Sequence, residues 1–563
     1  MSKRSKRKYA QEQKYNAVIA GIASLFLINI LAVYPLFIWR AGYFDLTFEK
    51  TFFFWLTTGI AVLAMLFMLV CVKGKFYIAD YYAPNEPVRR LTVAEWALFG
   101  FIFWAFLSAV ISATTNWFGT IVWFGAENRY EGFVSFLAYA ACFFIIARFY
   151  KPRRLHLLLA AVGAALVSLI GVLQFFGADI FGLFPFDMPY PPLADEHGNR
   201  LHGPLSAFFR TTLGNVNIVS AYCSFAVILF AALFSVSRAS RRQYLYLGAG
   251  ALSFALSLTT GFSGDAHVVA ISGAMLLLVP YWITSRERFA RILIVLATWL
   301  ALYAGHSAYM SAMKRRLEAG EHFYPFERQL LYEHSHANIA LLLSAAAALL
   351  AAGLLLLLLL KKWLPARPLK IAAVAVLPAV IISGAIGLEI LGRRLADEPH
   401  NFIWQAREMM HGRFDDTFGS GRGWVWRNAL EVIPDNPVFG TGPDTFFFAL
   451  GESPNSPRHM ESAALLYQTF DKAHNIFLQI AVCMGIPALL AYIIFIAGVL
   501  VPAVKPAFNR PVLLAFGAAS LSYMLQSFFA VEVPITTPIV WICLGVVAGE
   551  TWMSKIGRES LEV

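Results

Sequence analysis

Between Gly419 and Leu490 the chain concentrates Arg, Asp, His, Trp and Gly: GSGRGWVWRNALEVIPDNPVFGTGPDTF, a connector, then DKAHNIFLQIAVCMGIPALL. Two kinds of residue in this stretch can do chemistry. Arg422 and Arg427 carry guanidinium groups, which meet phosphate oxygens in bidentate contact. His474 stands where an apolar run begins, after Asp471 and Lys472. With Asp471 as the cap of that helix, the positive end of the helix dipole disfavours imidazolium and keeps the ring neutral. A neutral imidazole accepts a proton near pH 7. The same residues also fit a plain structural role: an interfacial helix whose arginines touch lipid phosphate, and a histidine at a span end.

Positioning these groups falls to three local elements. Residues Gly421 to Ile433 read as a short amphipathic helix with Trp426, Leu430 and Ile433 on one face and Ser420 as its cap. Pro434-Asp-Asn-Pro437 stops it, and Gly440-Thr-Gly442-Pro443 makes a tight turn. His474 and Asn475 then open a span in which Gly485 and Pro487 permit close packing and a kink; Asn475 can cap that helix or orient a bound hydroxyl.

Around this stretch the chain is membrane helix. Of 563 residues 59% are hydrophobic and 14% charged, against about 25% charged in soluble domains. Apolar runs of about 20 residues recur between short charged loops, so the fold class is all-α and polytopic. Spans are expected at Asn16 to Ile38, Thr51 to Val72, Ala94 to Ala113, Phe133 to Ala147 and Leu157 to Phe176. A sixth follows Asn217, a seventh and eighth flank a short turn from Gly261 to His267, and a ninth follows Arg291. Others run from Ala337 to Leu360, from Ile371 to Leu391, from His474, from Val512 to Phe529 and from Pro538 to Met553. That makes about 14 spans, with Lys and Arg gathered in alternate loops so that both termini lie in the cytoplasm. The expected organisation is a basic tail at 1–14, spans one to eleven at 15–391, an extracytoplasmic region at 392–473, the last three spans at 474–553 and a tail at 554–563. Lys3, Arg4, Lys6, Arg7, Lys8 and Lys14 precede a run too long for a signal peptide, so the first span is retained. The net charge of +11 follows from this topology and not from a nucleic-acid patch. Cys71, Cys142, Cys223, Cys483 and Cys543 fall inside apolar runs, as small core residues rather than disulfides or metal ligands.

Other charged residues fall on the outer side. Arg129 lies in the loop Asn116 to Gly132, either as a site residue or as an arginine snorkelling from an aromatic belt. Arg210 precedes Gly214-Asn-Val-Asn217, where Asn215 caps a span and Arg210 adds to a local anion site. His267 reads as a hydrogen-bonded turn residue. The outer loop from Lys314 to His336 holds His322, His334 and His336; the His334-x-His336 pair has no third ligand at helical or hairpin spacing, so no metal is expected.

Ser420-Gly421-Arg422 with Trp426, Asn436-Pro437 with Gly440-x-Gly442, and Ala473-His474-Asn475 with Leu478 and Gly485 resemble the O-antigen ligase and polymerase superfamily. The Trp-x-Gly…Arg129-Tyr-x-Gly132 and Gly214-Asn-x-Asn217 patterns are similar to that family too. A departure stands at Ser263-Gly264-Asp265, where those ligases often carry Ser-Arg, leaving one phosphate-binding arginine to be supplied by Arg129 or Arg210. The resemblance implies a glycosyltransferase of the bacterial inner membrane, active on the outer face, with no cofactor. Its donor is a polyprenyl-diphosphate-linked glycan and its acceptor a hydroxyl on lipid, glycan or protein. Transfer is metal-independent and inverting, with His474 as base, Arg422 as main diphosphate ligand, and Arg427, Arg210, Arg129 and Asn475 as further binding residues. A repeat-unit polymerase shares this chemistry. A flippase is disfavoured by the near absence of ionisable residues in mid-span. A metal-dependent polyprenyl-phosphate transferase would want a DxD-type pair, which Asp45 and Glu49 do not make.

Overall fold

The computed structural model describes residues 3–40, 43–71, 90–115, 118–176, 178, 181, 209–238, 240–260, 264–320, 338–358, 382, 385–390, 392–394, 402–413, 416, 418–451 and 470–561. The first helices are α1 (Lys3–Ile28), which runs on through a π turn and a 3-10 turn to Leu36, α2 (Tyr43–Cys71), α3 (Val93–Thr115), α4 (Gly119–Phe124), α5 (Phe133–Phe149) and α6 (Arg154–Phe175). A two-residue hairpin, β1 (Phe209–Arg210) with β2 (Gly214–Asn215), leads into α7 (Val216–Val236), α8 (Gln243–Leu258), α9 (Gly264–Trp282), α10 (Arg286–Glu318) and α11 (Ile339–Leu358). Then come α12 (Phe402–Met410), α13 (Phe418–Val432), α14 (Phe446–Ala449), α15 (Ile476–Leu500), α16 (Pro511–Ser527) and α17 (Thr537–Lys555). Among the described residues nine helices are long and apolar enough to cross a membrane, and α5 and the His267–Trp282 part of α9 are shorter apolar helices. The expected span from Ile371 to Leu391 and the His322, His334 and His336 loop lie largely or wholly outside the described residues. Lys314, expected in that loop, belongs to α10.

Without water to drive burial, helices in lipid associate through close backbone packing, and glycines mark where they do. Gly545 and Gly549, one turn apart on α17, face α5 so tightly that a Cβ at Gly545 would sit 2.9 Å from Ile146 and one at Gly549 3.2 Å from the Ala147 carbonyl. Helix α7 is apolar on every side and buried throughout, so it forms the centre against α8, α9 and α16. Helix α2 is two-faced: Phe48, Phe52, Leu56, Ile60, Leu63 and Phe67 form an exposed apolar stripe suited to lipid, while Phe54, Ala61 and Met65 pack inward.

At one end of the bundle, buried ion pairs fasten neighbouring helices. Arg148 donates to both carboxylate oxygens of Glu95 at 2.7 Å, and Arg510 to Glu550 at 2.8 and 3.0 Å. At the opposite end the connections are tied through backbone carbonyls. Lys50, fully buried, donates to the Tyr34 and Pro35 carbonyls at 2.9 and 3.1 Å, where the chain leaves α1. Thr212 donates to the same Pro35 carbonyl, and Tyr34 donates to the Pro534 carbonyl between α16 and α17. Cys71 is exposed, whereas Cys142, Cys223, Cys483 and Cys543 are buried; all five thiols are free.

Candidate functional site

The site is built on a break in α15. At Gly485 the backbone takes φ 83° and ψ 169°, which interrupts the helical hydrogen bonds, and Pro487 follows. The turn from Pro437 to Gly442 inserts there and satisfies the released groups. Ile486 N–H donates to the Pro437 carbonyl at 2.8 Å, while Thr441 and Gly442 N–H donate to the Val482 and Cys483 carbonyls at 3.1 and 2.7 Å. The approach is so close that a Cβ on Gly485 would lie 2.1 Å from the Val438 carbonyl oxygen, and one on Gly440 2.3 Å from the Cys483 backbone. Helix α3 holds the turn from the other side: Trp104 donates to the Val438 carbonyl at 2.7 Å and Ser112 to the Thr441 carbonyl at 2.6 Å.

That turn delivers Asp444, in left-handed backbone at φ 62°. One carboxylate oxygen accepts from the N–H groups of Ala126 and Glu131 at 2.8 and 3.1 Å. The other lies 2.5 Å from the Lys472 ammonium, which also donates to Glu131 at 2.8 Å. All three side chains are buried. The loop they organise, residues 125–132, closes on itself: a Cβ at Gly125 would lie 2.3 Å from Glu131 N, and one at Gly132 2.4 Å from Gly125 N. The glycines flanking Arg129-Tyr130 are therefore required by loop closure. Burial pushes the Glu131 carboxyl up to about 7, with Lys472 opposing the shift and Asp444 adding to it. Burial on its own lowers Lys472, but its two carboxylate partners more than offset that and hold it charged. The ionic pair is thus Lys472 with Asp444, and Glu131 carries its proton to near neutrality. Glu532, between α16 and α17, has a buried carboxyl oxygen without a hydrogen-bond partner; burial, then Glu131, push it up to about 8.

Loop 125–132 points Arg129 at Asp471 in a bidentate pair at 2.6 and 3.0 Å. Asp471 is therefore the partner of Arg129 and not the helix cap expected from sequence. The cap is Asn475, whose side-chain oxygen accepts from Phe477 and Leu478 N–H at 2.9 and 3.1 Å. Burial by itself raises Asp471, and Arg129 brings it below the usual carboxylate range. His474 lies just ahead of the cap, outside the first turn where sequence placed it, with φ 50°. Its Nδ1 is buried with no hydrogen-bond partner, and its ring meets Phe470 edge-on at 5.9 Å. Burial first, then Arg422 and Arg129, with Asp471 opposing, lower the imidazole to about 3. The ring is neutral, as expected, but through burial and two guanidinium groups rather than through capping by Asp471.

Arg422 reaches this point from α13. Gly419 and Gly421 take φ 57° and 91°, and a Cβ on Gly419 would lie 3.3 Å from the Arg422 side chain. Arg422 thus folds back over Gly419, donating to its carbonyl and, at 2.7 Å, to the Phe529 carbonyl. These carbonyls orient the guanidinium group. Trp426 packs on Phe528 and Phe529 and donates to the Ala473 carbonyl at 3.1 Å, joining α13 to the residue before His474. Leu430, expected on the buried face, is 59% exposed; Trp424, Val425, Trp426, Ala429 and Val432 are buried instead.

Of the residues singled out from sequence, His474, Arg422 and Arg129 converge. Arg427 turns to exposed Asp416, with Nε 3.1 Å from its carboxylate. Arg210 is buried elsewhere, donating to the Thr259 carbonyl at 3.0 Å and lying 5.1 Å over the Phe175 ring. Asn215 caps α7 as expected, and His267 sits in the first turn of α9 rather than in a loop. Sequence reasoning passed over Glu131, Asp444, Lys472 and Glu532. Asp444, in Gly440-x-Gly442-Pro-Asp, and Lys472, two residues before His474, carried a signal through their neighbours; Glu532 carried none. The family model described as O-Antigen ligase matches residues 335–493, a segment that holds Arg422, Asp444, Lys472 and His474. No curated protein matches the chain.

Proposed function

We propose that this chain, whose residues 335–493 match the O-Antigen ligase family model, transfers a glycan from a polyprenyl-diphosphate carrier to an acceptor hydroxyl. The reaction takes place on the outer face of the bacterial inner membrane, with both chain termini in the cytoplasm. The observation that carries this reading is the setting of His474: left-handed backbone and a buried Nδ1 without a hydrogen-bond partner, with Arg422 and Arg129 near enough to lower the basicity of the ring. Non-glycine residues in left-handed backbone cluster at functional sites. Among the described residues these are Asn128, Tyr130, Thr211, Asp444 and His474, and four of the five border this cluster.

In the reaction, the acceptor oxygen attacks the anomeric carbon on the face opposite the diphosphate, and its proton passes to His474. The anomeric C–O bond breaks, and the electron pair leaves with the diphosphate. Arg422 and Arg129 meet that charge, so the leaving group departs as an anion without a general acid, and the sugar is inverted. Asp471 holds Arg129 in place and balances its charge before the donor arrives. The Glu131–Lys472–Asp444 cluster fixes the loop that carries Arg129.

The test is glycan transfer by the reconstituted protein from a polyprenyl-diphosphate oligosaccharide, with chelator present. His474→Ala and Arg422→Ala lower turnover by at least about a hundredfold at matched protein level, the range for loss of a general base or an anion-stabilising group. Normal turnover in both variants rejects the assignment.

A further inference from the structure

Helices α9 and α10 meet through the short turn at Ile283–Ser285, but α9 leans on α7 and α16 rather than on α10. The two diverge around a groove of about 760 Å³. Its walls are Val268, Ile271, Met275, Leu276 and Val279 of α9 facing Leu293, Leu296 and Trp299 of α10. From Val268 to Trp282 it runs about 21 Å at 1.5 Å per residue, most of the roughly 30 Å hydrocarbon thickness of a bilayer.

The lining is asymmetric. Ser257, His267, Tyr303 and His306 stand together at the end of the groove near Thr259, the site end, and the rest of the wall is almost wholly apolar. Next to that polar end lies Arg210, bonded to the Thr259 carbonyl and stacked on Phe175, whose ring is 5.7 Å from that of His306. The groove wall also adjoins the helix that leads to the site. Gly273 on α9 would place a Cβ 3.1 Å from Leu525 of α16; from that contact α9 runs back towards His267, and α16 runs on towards Phe528-Phe529, whose Phe529 carbonyl holds Arg422. An apolar slot within the membrane, polar at one end and bordered there by a buried cation, has the charge pattern of an amphiphile with a long hydrocarbon tail and an anionic head.

We infer that the α9–α10 groove binds the isoprenoid tail of the donor lipid, with Arg210 beside the diphosphate as it passes to Arg422. The inference rests on the proposed transfer reaction for the identity of the lipid. It also gives Arg210, which stands apart from the residues around His474, a place in substrate binding.

The test uses the full-length protein in lipid nanodiscs and glycan-free polyprenyl diphosphate carrying a photoreactive group in its tail. Peptide mapping is expected to find the label on α9 and α10, and unlabelled polyprenyl diphosphate to compete it away. Filling the groove with Val279→Trp lowers labelling and raises the donor KM about tenfold with kcat unchanged, because part of the tail is no longer buried. Without any substitution, a farnesyl-length donor shows the same rise in KM, so the test survives a variant that does not fold. Labelling outside α9 and α10, or labelling there by a photoreactive phospholipid that polyprenyl diphosphate does not displace, overturns the inference. Competed labelling of the groove without glycan transfer would leave the groove standing and reject the transfer reaction instead.

Discussion

Replacing Lys472 by Met removes a cation that lies 2.5 Å from Asp444 and 2.8 Å from Glu131, with all three side chains 1–3% exposed. Breaking a buried ion pair from one side leaves the other charge unsolvated, at about 3–5 kcal/mol. Glu131→Gln should be far milder, about 1 kcal/mol. Its carboxyl already holds a proton to near pH 7, and an amide oxygen still accepts from Lys472. Adding Asp444→Asn to Lys472→Met removes the stranded charge and should recover a large part of the loss. The measurement is the thermal midpoint of each variant in detergent at pH 5.5 and pH 7.5. Lys472 opposes the upward shift that burial imposes on Glu131, so in Lys472→Met that carboxyl lies still further above its unfolded value. Its stabilising protonation is complete at acid pH and lost as pH rises, so the deficit is larger at pH 7.5. If Lys472→Met is no worse than Glu131→Gln, or its deficit does not depend on pH, the division of charge within the triad is wrong.

Gly485→Ala places a methyl against the Val438 carbonyl in a backbone region open essentially only to glycine, so it loses at least about 1–3 kcal/mol and transfer activity falls with it. Gly248→Ala, in the middle of α8 with open space around it, gains about 0.5–1 kcal/mol; equal thermal midpoints for the two would refute the account of the α15 break. Asn475→Ala loses the cap of α15 at about 1 kcal/mol, and Asn475→Asp, read by the same midpoint, restores it. For His474, lowered to about 3, kcat/KM should hold level from pH 7 to pH 5, with no acid limb near 6.5. Because its folded pKa is depressed, its contribution to stability is present above pH 6.5 and lost as pH falls towards 3.

Membrane class, the helix near Arg422, the tight turn at Gly440 and the kink at Gly485 were legible because each is local: apolar length, spacing and glycine–proline placement fix them within a few residues. Asn215 and Asn475 were legible as caps for the same reason. The Arg129–Asp471 and Lys472–Glu131 pairs were not, because they join segments hundreds of residues apart. Asp471 is a plausible cap on local grounds, yet Arg129 claims it across 342 positions. The Asn436-Pro437 to Gly442 stretch was readable as a turn but not as an insert into the broken helix, since that fit needs two backbones to meet. Equally, the glycines around Arg129-Tyr130 matched a family pattern without disclosing that they close a loop. Arg427 and Leu430 show the limit of periodicity on a short helix, where a small rotation exchanges the buried and exposed faces.

The depressed basicity of His474 raises a question of mechanism, because an imidazole at about 3 is a weak base for an alcohol. Its surroundings answer it. After burial, the next cause of the depression is Arg422, and Arg129 adds to it; these are the groups assigned to the diphosphate. In the proposed reaction the donor brings negative charge to both guanidinium groups and so reduces their hold on the ring. Basicity then rises only when the donor is bound. In the free protein the ring stays neutral whatever the acceptor does, and in the donor complex it is a stronger base beside the sugar it must serve. The acid limb of kcat, which reports the complex, should therefore lie at higher pH than that of kcat/KM, which reports the free protein. Substituting Arg422 by Gln should bring the two limbs together while lowering both rates. Coincident limbs in the unsubstituted protein would mean that the arginines do not control the base.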